Sequence, residues 1–197
     1  MAKIIGSNGS DIIVGTDFND LILGLAGADI ITGDGGNDTI RGGAGADILD
    51  GDSGRDLLIG GTGNDTLAGG SGRDTLTGGL GADRFNFDSP NEGTDIITDF
   101  IAADDTIVVS PRNFGGGLKP GETIKPHQFR LGTAAGDPSD RFIYDRKSGA
   151  LYFDRDGIGP SKQIQLATIA NKPLLSHADI FVSEQFGFIV FEDSVSV

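Results

Sequence analysis

Between Gly6 and Asn86 a large apolar side chain recurs at every ninth residue: Ile13, Ile22, Ile31, Ile40, Leu49, Leu58, Leu67, Leu76 and Phe85. Nine blocks of nine follow one another without an insertion. Each block reads as a six-residue turn and a three-residue strand, with the apolar residue at position 8. Side chains alternate faces along a strand, so position 8 points one way and positions 7 and 9 the other. Two blocks, 18 residues, make one coil with two turns and two strands. Stacked coils form two parallel sheets that share the position-8 column as their interior. The pattern predicts an all-β fold, a parallel β-roll solenoid, over residues 1–86.

The polar positions are as regular. Position 1 is glycine in every block: Gly6, Gly15, Gly24, Gly33, Gly42, Gly51, Gly60, Gly69 and Gly78. Position 4 is glycine in every block but the second, where Phe18 stands. Position 6 is always aspartate. Asp11, Asp29, Asp47, Asp65 and Asp83 stack on one side of the roll, and Asp20, Asp38, Asp56 and Asp74 on the other. Glycine and aspartate both make good turns. That property explains the composition, but not nine aspartates held two places before an apolar residue.

Stacked carboxylates need a reason. Neighbouring coils lie about 4.8 Å apart. Two bare carboxylates at that spacing repel by roughly 3 kcal/mol at an effective dielectric of 20. The column of nine apolar side chains is thin for a chain of this length, so stability has to come from elsewhere. A cation between successive aspartates turns the repulsion into binding. Carboxylates and turn carbonyls are hard oxygen ligands, which suit Ca²⁺. Four gaps on one side and three on the other leave room for about seven ions.

Composition agrees. The 197 residues include 33 glycines, 29 acidic against 15 basic residues, two histidines and no cysteine, with a formal net charge of −14. That charge opposes compaction and argues against nucleic acid, whose phosphates need Lys and Arg. Thiolate sites are excluded, and Zn²⁺ and Cu²⁺ are poor candidates. No run of 18 apolar residues is present, so no membrane-spanning helix is expected. The opening Met1-Ala2-Lys3-Ile4-Ile5-Gly6 has no apolar core of signal-peptide length. Export, if it occurs, is expected by a route that reads no N-terminal signal.

The register G-G-x-G-x-D-x-U-x, with U apolar, resembles the RTX (repeats-in-toxin) or hemolysin-type calcium-binding family. Its clearest copies run from Gly42 to Asp50, Gly60 to Ala68 and Gly69 to Thr77. The resemblance implies that the position-6 aspartates and turn carbonyls, those of Gly33, Gly42, Gly51, Gly60, Gly69 and Gly78 among them, bind Ca²⁺. Phe18 departs from the pattern, since a bulky residue resists a left-handed turn, and an ion beside Asp20 is expected on weaker grounds. Position 2 departs as well, at Ser7, Thr16, Leu25, Asp34 and Asp52.

After Asn86 the glycine period stops. Asp95-Ile96-Ile97-Thr98-Asp99-Phe100 and Asp105 to Ser110 resemble the segment that follows the repeats in secreted RTX proteins. Asp95, Asp99 and Asp105 read either as a last calcium site or as strand-end acids. Pro111, Gly115-Gly116-Gly117 and Pro120 predict a loop over 111–126. Arg141 to Asp145 and Ala150 to Asp154 flank Lys147-Ser148-Gly149 and predict a β-hairpin. Asp154-Arg155-Asp156-Gly157 has the opening of an EF-hand loop without its later acids, so it reads as a turn. Residues 87–197 are thus expected to form a β-rich C-terminal cap. The similarity of 141–182 to the family's C-terminal flank implies an accompanying secretion signal read by a type I exporter. The apolar tail Ser183–Val197 reads as part of that signal or as extra packing. Outward residues Ile12, Val14, Leu21, Leu23, Ile30, Ile48, Leu57 and Ile59 either need cover or are a plain exposed scatter.

No catalytic constellation is found. His127 and His177 stand apart, without H-E-x-x-H, and G-x-S-x-G and cysteine nucleophiles are absent. The expected protein is a non-enzymatic, calcium-binding, extracellular module that folds on Ca²⁺ and supports type I secretion. A carbohydrate-binding or adhesive module and a self-assembling surface protein are the alternatives.

Overall fold

The computed structural model describes residues 1–184. Two sheets of parallel strands wind around one interior. The first runs through Lys3–Ile5, Leu21–Ala26, Thr39–Ala44, Leu57–Thr62, Thr75–Leu80, Asp95–Ile97 and Ile164–Ile169. The second runs through Ile12–Val14, Ile30–Thr32, Ile48–Asp50, Thr66–Ala68, Arg84–Phe87, Thr106–Val109 and Ile180–Val182. Within the repeat the register steps by 18 residues. Ile22, Ile40, Leu58 and Leu76 stack on one face, and Ile13, Ile31, Leu49, Leu67 and Phe85 on the other. This is the all-β parallel solenoid that the period predicts.

Position 8 forms the interior as expected. From Ile22 to Phe85 each such side chain is fully buried, while Ile13, nearest the open end, keeps 8 % of its surface exposed. The outward residues divide. Ile12 and Val14 are exposed, whereas Leu21, Leu23, Ile30, Ile48, Leu57 and Ile59 are half-buried. The turns pack backbone on backbone. Gly54 has φ +145, and a Cβ there would collide with the Gly36 carbonyl of the preceding coil, so this position is closed to any other residue.

Both sheets continue past Asn86. Asp95–Ile97 pairs with the strand starting at Thr75 and then with Ile164–Ile169. Thr106–Val109 lies between Arg84–Phe87 and Ile180–Val182. The predicted hairpin forms: Phe142–Asp145 pairs antiparallel with Ala150–Phe153, which joins the first sheet along Ile164–Ile169. Strand Phe129–Leu131 adds to its far edge. The interior changes character here, from stacked aliphatics to the ring cluster Phe114, Phe142 and Phe153, with centroids 4.9–6.2 Å apart. Phe114 comes from a one-turn helix, Pro111–Phe114, inside the segment expected to be loop. At 154–157 the Asp156 N–H bonds Asp154 Oδ1 at 3.2 Å, a local turn as read. No described helix is long and apolar enough to cross a membrane. The expectation for the tail falls on residues 185–197, which lie outside the described residues, save Ser183 and Glu184.

Candidate metal centre

Every repeat aspartate sits in the last place of its turn, just before its strand. From Asp20 to Asp83 these side chains are at least 97 % buried. The stacking register links them. The backbone N–H of each donates to Oδ1 of the aspartate one coil on: Asp11 to Asp29, Asp20 to Asp38, and so through both rows at 2.7–2.9 Å. Two further rungs follow. Asp74 donates to Asp95 at 3.0 Å and Asp83 to Asp105 at 2.9 Å. Asp95 and Asp105 therefore extend different rows, one each, rather than meeting in one place. Asp99 has a separate task and accepts the N–H groups of Gly78 and Gly79 at 3.0 and 2.9 Å.

The second carboxylate oxygen is the anomaly. Oδ2 of Asp29, Asp38, Asp47, Asp56, Asp65, Asp74 and Asp83 is buried with no hydrogen-bond partner. Seven orphaned carboxylate oxygens would be costly in any folded protein. Their surroundings are oxygen-rich. A Cβ built at Gly51 would lie 2.6 Å from both Asp56 Oδ2 and the Gly69 carbonyl. The Gly24, Gly33 and Gly60 positions bring Asp29, Asp38 and Asp65 Oδ2 beside the carbonyls of Gly42, Gly51 and Gly78 in the same way. The Gly33 carbonyl faces Gly15, and Gly60 itself adjoins Asp65 Oδ2. The position-1 glycine therefore leaves a cleft between a carboxylate and a carbonyl of the next coil.

Electrostatics follow from this crowding. Burial, with Asp74, Asp38 and Asp50 close by, pushes the Asp56 carboxyl up to about 7. Burial and the carboxylates of Asp47 and Asp83 push Asp65 to about 6. Asp95 reaches about 8, again from burial and then from Asp74. Burial also raises Asp38, Asp47, Asp74, Asp83 and Asp105. Asp20 goes the other way, held down by the Ala2 N–H and the Thr16 hydroxyl.

The donor set fits a hard divalent cation. It offers carboxylate oxygens and backbone carbonyls, without sulfur or imidazole, and Ca²⁺ accepts six to eight such oxygens. Among the described residues no three His, Cys, Asp or Glu side chains converge on one point. An ion would therefore draw on carbonyls as much as on carboxylates. Ser7 and Thr16, read in the sequence only as departures at position 2, donate their hydroxyls to Asp11 and Asp20 Oδ2; the signal for that role was a hydroxyl at position 2.

These features define a parallel β-solenoid with buried aspartate ladders at its turns. The RTX calcium-binding nonapeptide repeat family matches residues 5–40, 23–58 and 59–89. Residues 5–89 are therefore RTX repeats, a calcium-binding type. No curated protein matches the chain. Among solved structures, the extracellular lipase LipA from Serratia marcescens is 18 % identical with a TM-score of 0.30, over 92 % of this chain. The chain spans 40 % of that lipase's length. The AlgE6R3 subunit of the Azotobacter vinelandii mannuronan C5-epimerase is 26 % identical with a TM-score of 0.25, over 98 % of this chain and 84 % of its own.

Proposed function

We propose that this chain is a non-enzymatic calcium-loaded module, exported unfolded by a type I secretion system and folded by Ca²⁺ outside the cell. The observation that carries the reading is the set of seven buried aspartate Oδ2 atoms without partners, stacked in two rows. About seven ions would satisfy them, held by Asp29, Asp38, Asp47, Asp56, Asp65, Asp74 and Asp83 with turn carbonyls. Asp95 and Asp105 would close the rows. On this reading residues 1–86 are the ion-binding roll and 87–197 its cap, which would carry the secretion signal.

Extracellular calcium modules often bind with Kd of about 10⁻⁴–10⁻³ M. Cytosolic calcium would leave such sites empty and the chain expanded by its own charge. Outside, each site at 100 times its Kd would add about 2.7 kcal/mol. Adjacent sites share a coil, so one ion orders a turn that helps hold the next.

Circular dichroism through a calcium titration tests this. Coil should convert to β structure over a narrow range, and chelator should reverse it. A fully folded roll in excess chelator at low salt would refute the proposal.

Self-association is a second reading, favoured by Ile5, Ile12 and Val14, which expose 52–60 % of their surface on the first coil. Calcium-dependent sedimentation separates it from the first.

A further inference from the structure

The nine repeat aspartates fall into two kinds. Seven keep an orphaned Oδ2. Asp11 and Asp20, the first of each row, do not. Ser7 donates its N–H to Asp11 Oδ2 at 2.6 Å and its hydroxyl at 3.0 Å. Thr16 does the same for Asp20 Oδ2, at 2.9 and 2.7 Å. The backbone accounts for the difference. Position 2 is left-handed in the seven later blocks: Leu25 (φ 88), Asp34 (72), Gly43 (118), Asp52 (65), Gly61 (121), Gly70 (78) and Gly79 (105). Ser7 and Thr16 are not left-handed, and only there does the position-2 N–H reach the carboxylate.

The far end of one row closes in a related way. Asp105 Oδ2 accepts the Ile101 N–H at 2.8 Å, again from four residues back. The orphaned oxygens thus occupy the middle of the stack. They number seven, as do the gaps between successive repeat aspartates, but they lie one coil further along.

We infer that the amide-and-hydroxyl caps of Ser7 and Thr16 take the place of a cation at Asp11 and Asp20. The first coil is then a calcium-independent end of the roll. The ion rows begin between Asp29 and Asp47 and between Asp38 and Asp56. They run one step beyond the repeat, from Asp83 towards Asp105 and from Asp74 towards Asp95. The reason is physical. An ion needs a carboxylate oxygen free to coordinate it, and at Asp11 and Asp20 the position-2 N–H and hydroxyl already occupy that oxygen. An ion at either oxygen would have to displace both of those hydrogen bonds. Solenoids need such altered end repeats.

This inference rests on the calcium reading, and the experiment separates the two. Bound calcium is counted by equilibrium dialysis for the unaltered chain, for Asp11→Asn with Asp20→Asn, and for Asp47→Asn with Asp56→Asn. The first pair should keep the full count, and the second should lose at least two ions. A loss of two ions from the first pair overturns the caps. No loss from the second pair overturns the calcium ladder instead. Folding of the variants does not limit the test, because crystals of the unaltered chain grown in calcium give an anomalous map. Peaks should start at Asp29 and Asp38 and extend to Asp95 and Asp105. A peak between Asp11 and Asp29, or between Asp20 and Asp38, overturns the inference.

Discussion

Aspartate plays opposite parts in the two halves of this chain. In the C-terminal half the turn supplies the carboxylate's partners. Asp137 accepts the Ser139 N–H and hydroxyl, Asp145 the Lys147 N–H and Ser148 hydroxyl, and Asp179 the Ser176 N–H and hydroxyl. Those hydrogen bonds hold Asp137 and Asp145 below the usual carboxylate range. Beyond the first coil the roll's turns bring no side-chain donor to Oδ2, and burial drives Asp56 and Asp65 upward. The interiors differ in parallel: rows of stacked aliphatics ending at Phe85 in the roll, an aromatic cluster in the other half. Asp137, Asp145 and Asp179 have partners from their own turns, while seven roll aspartates keep an Oδ2 without one.

The largest test of this contrast is calcium removal. In chelator at neutral pH, hydrogen exchange should show near-complete loss of protection for strands between Leu21 and Leu80. Amides of the Phe142–Phe153 hairpin should keep more of theirs. Uniform loss across both regions would break the comparison.

Next in size is the roll's column. Leu58 is fully buried, and Leu58→Ala should cost about 2–5 kcal/mol in the calcium-saturated protein, read from denaturant unfolding. The chelated protein should show little effect, because the column is not then assembled.

A pH titration in chelator sharpens the electrostatic side. Asp56 and Asp65 in the roll, and Asp95 just beyond it, stand at about 7, 6 and 8 in the folded protein, against about 3.9 in an unfolded chain. The folded form therefore binds more protons in this range, and stability rises as pH falls. The contribution is complete below about pH 4 and disappears as pH rises through roughly 6 to 8. Metal-free β structure should grow on acidification, by circular dichroism, while calcium affinity weakens as protons compete. β structure that declines on acidification from pH 8 to 5 would contradict the buried-carboxylate account.

The smallest effect comes from single acids. Asp65→Ala should weaken calcium binding about tenfold, equivalent to about 1.4 kcal/mol. Asp154→Ala, whose carboxylate serves a local turn, should change it by less than twofold. Isothermal titration of both compares them, and equal losses would remove the distinction between the halves.

The roll was legible because its rule is local and repeated. A nine-residue period with fixed glycine, aspartate and apolar places admits one register, and Ile22 or Leu58 had only one side to face. The hairpin at 142–153 was readable for a similar reason, from two apolar runs about a glycine turn. Phe114 was not, because its burial depends on rings nearly 30 and 40 residues further on. Asp95 and Asp105 were named as candidates, but their assignment to separate rows needed the pairing of strands across insertions of irregular length.

Sequence alone determined the solenoid, its interior column, the two aspartate rows and the kind of ion they suit. Each follows from periodicity and ligand hardness, which need no knowledge of contacts between distant residues. Tertiary structure alone decided which carboxylate oxygens stay unsatisfied. That depends on whether the position-2 backbone is left-handed, and so on whether an N–H and a hydroxyl reach back to the aspartate. Asp11 and Asp29 occupy the same place in the repeat, and the fold gives only the first a partner of its own.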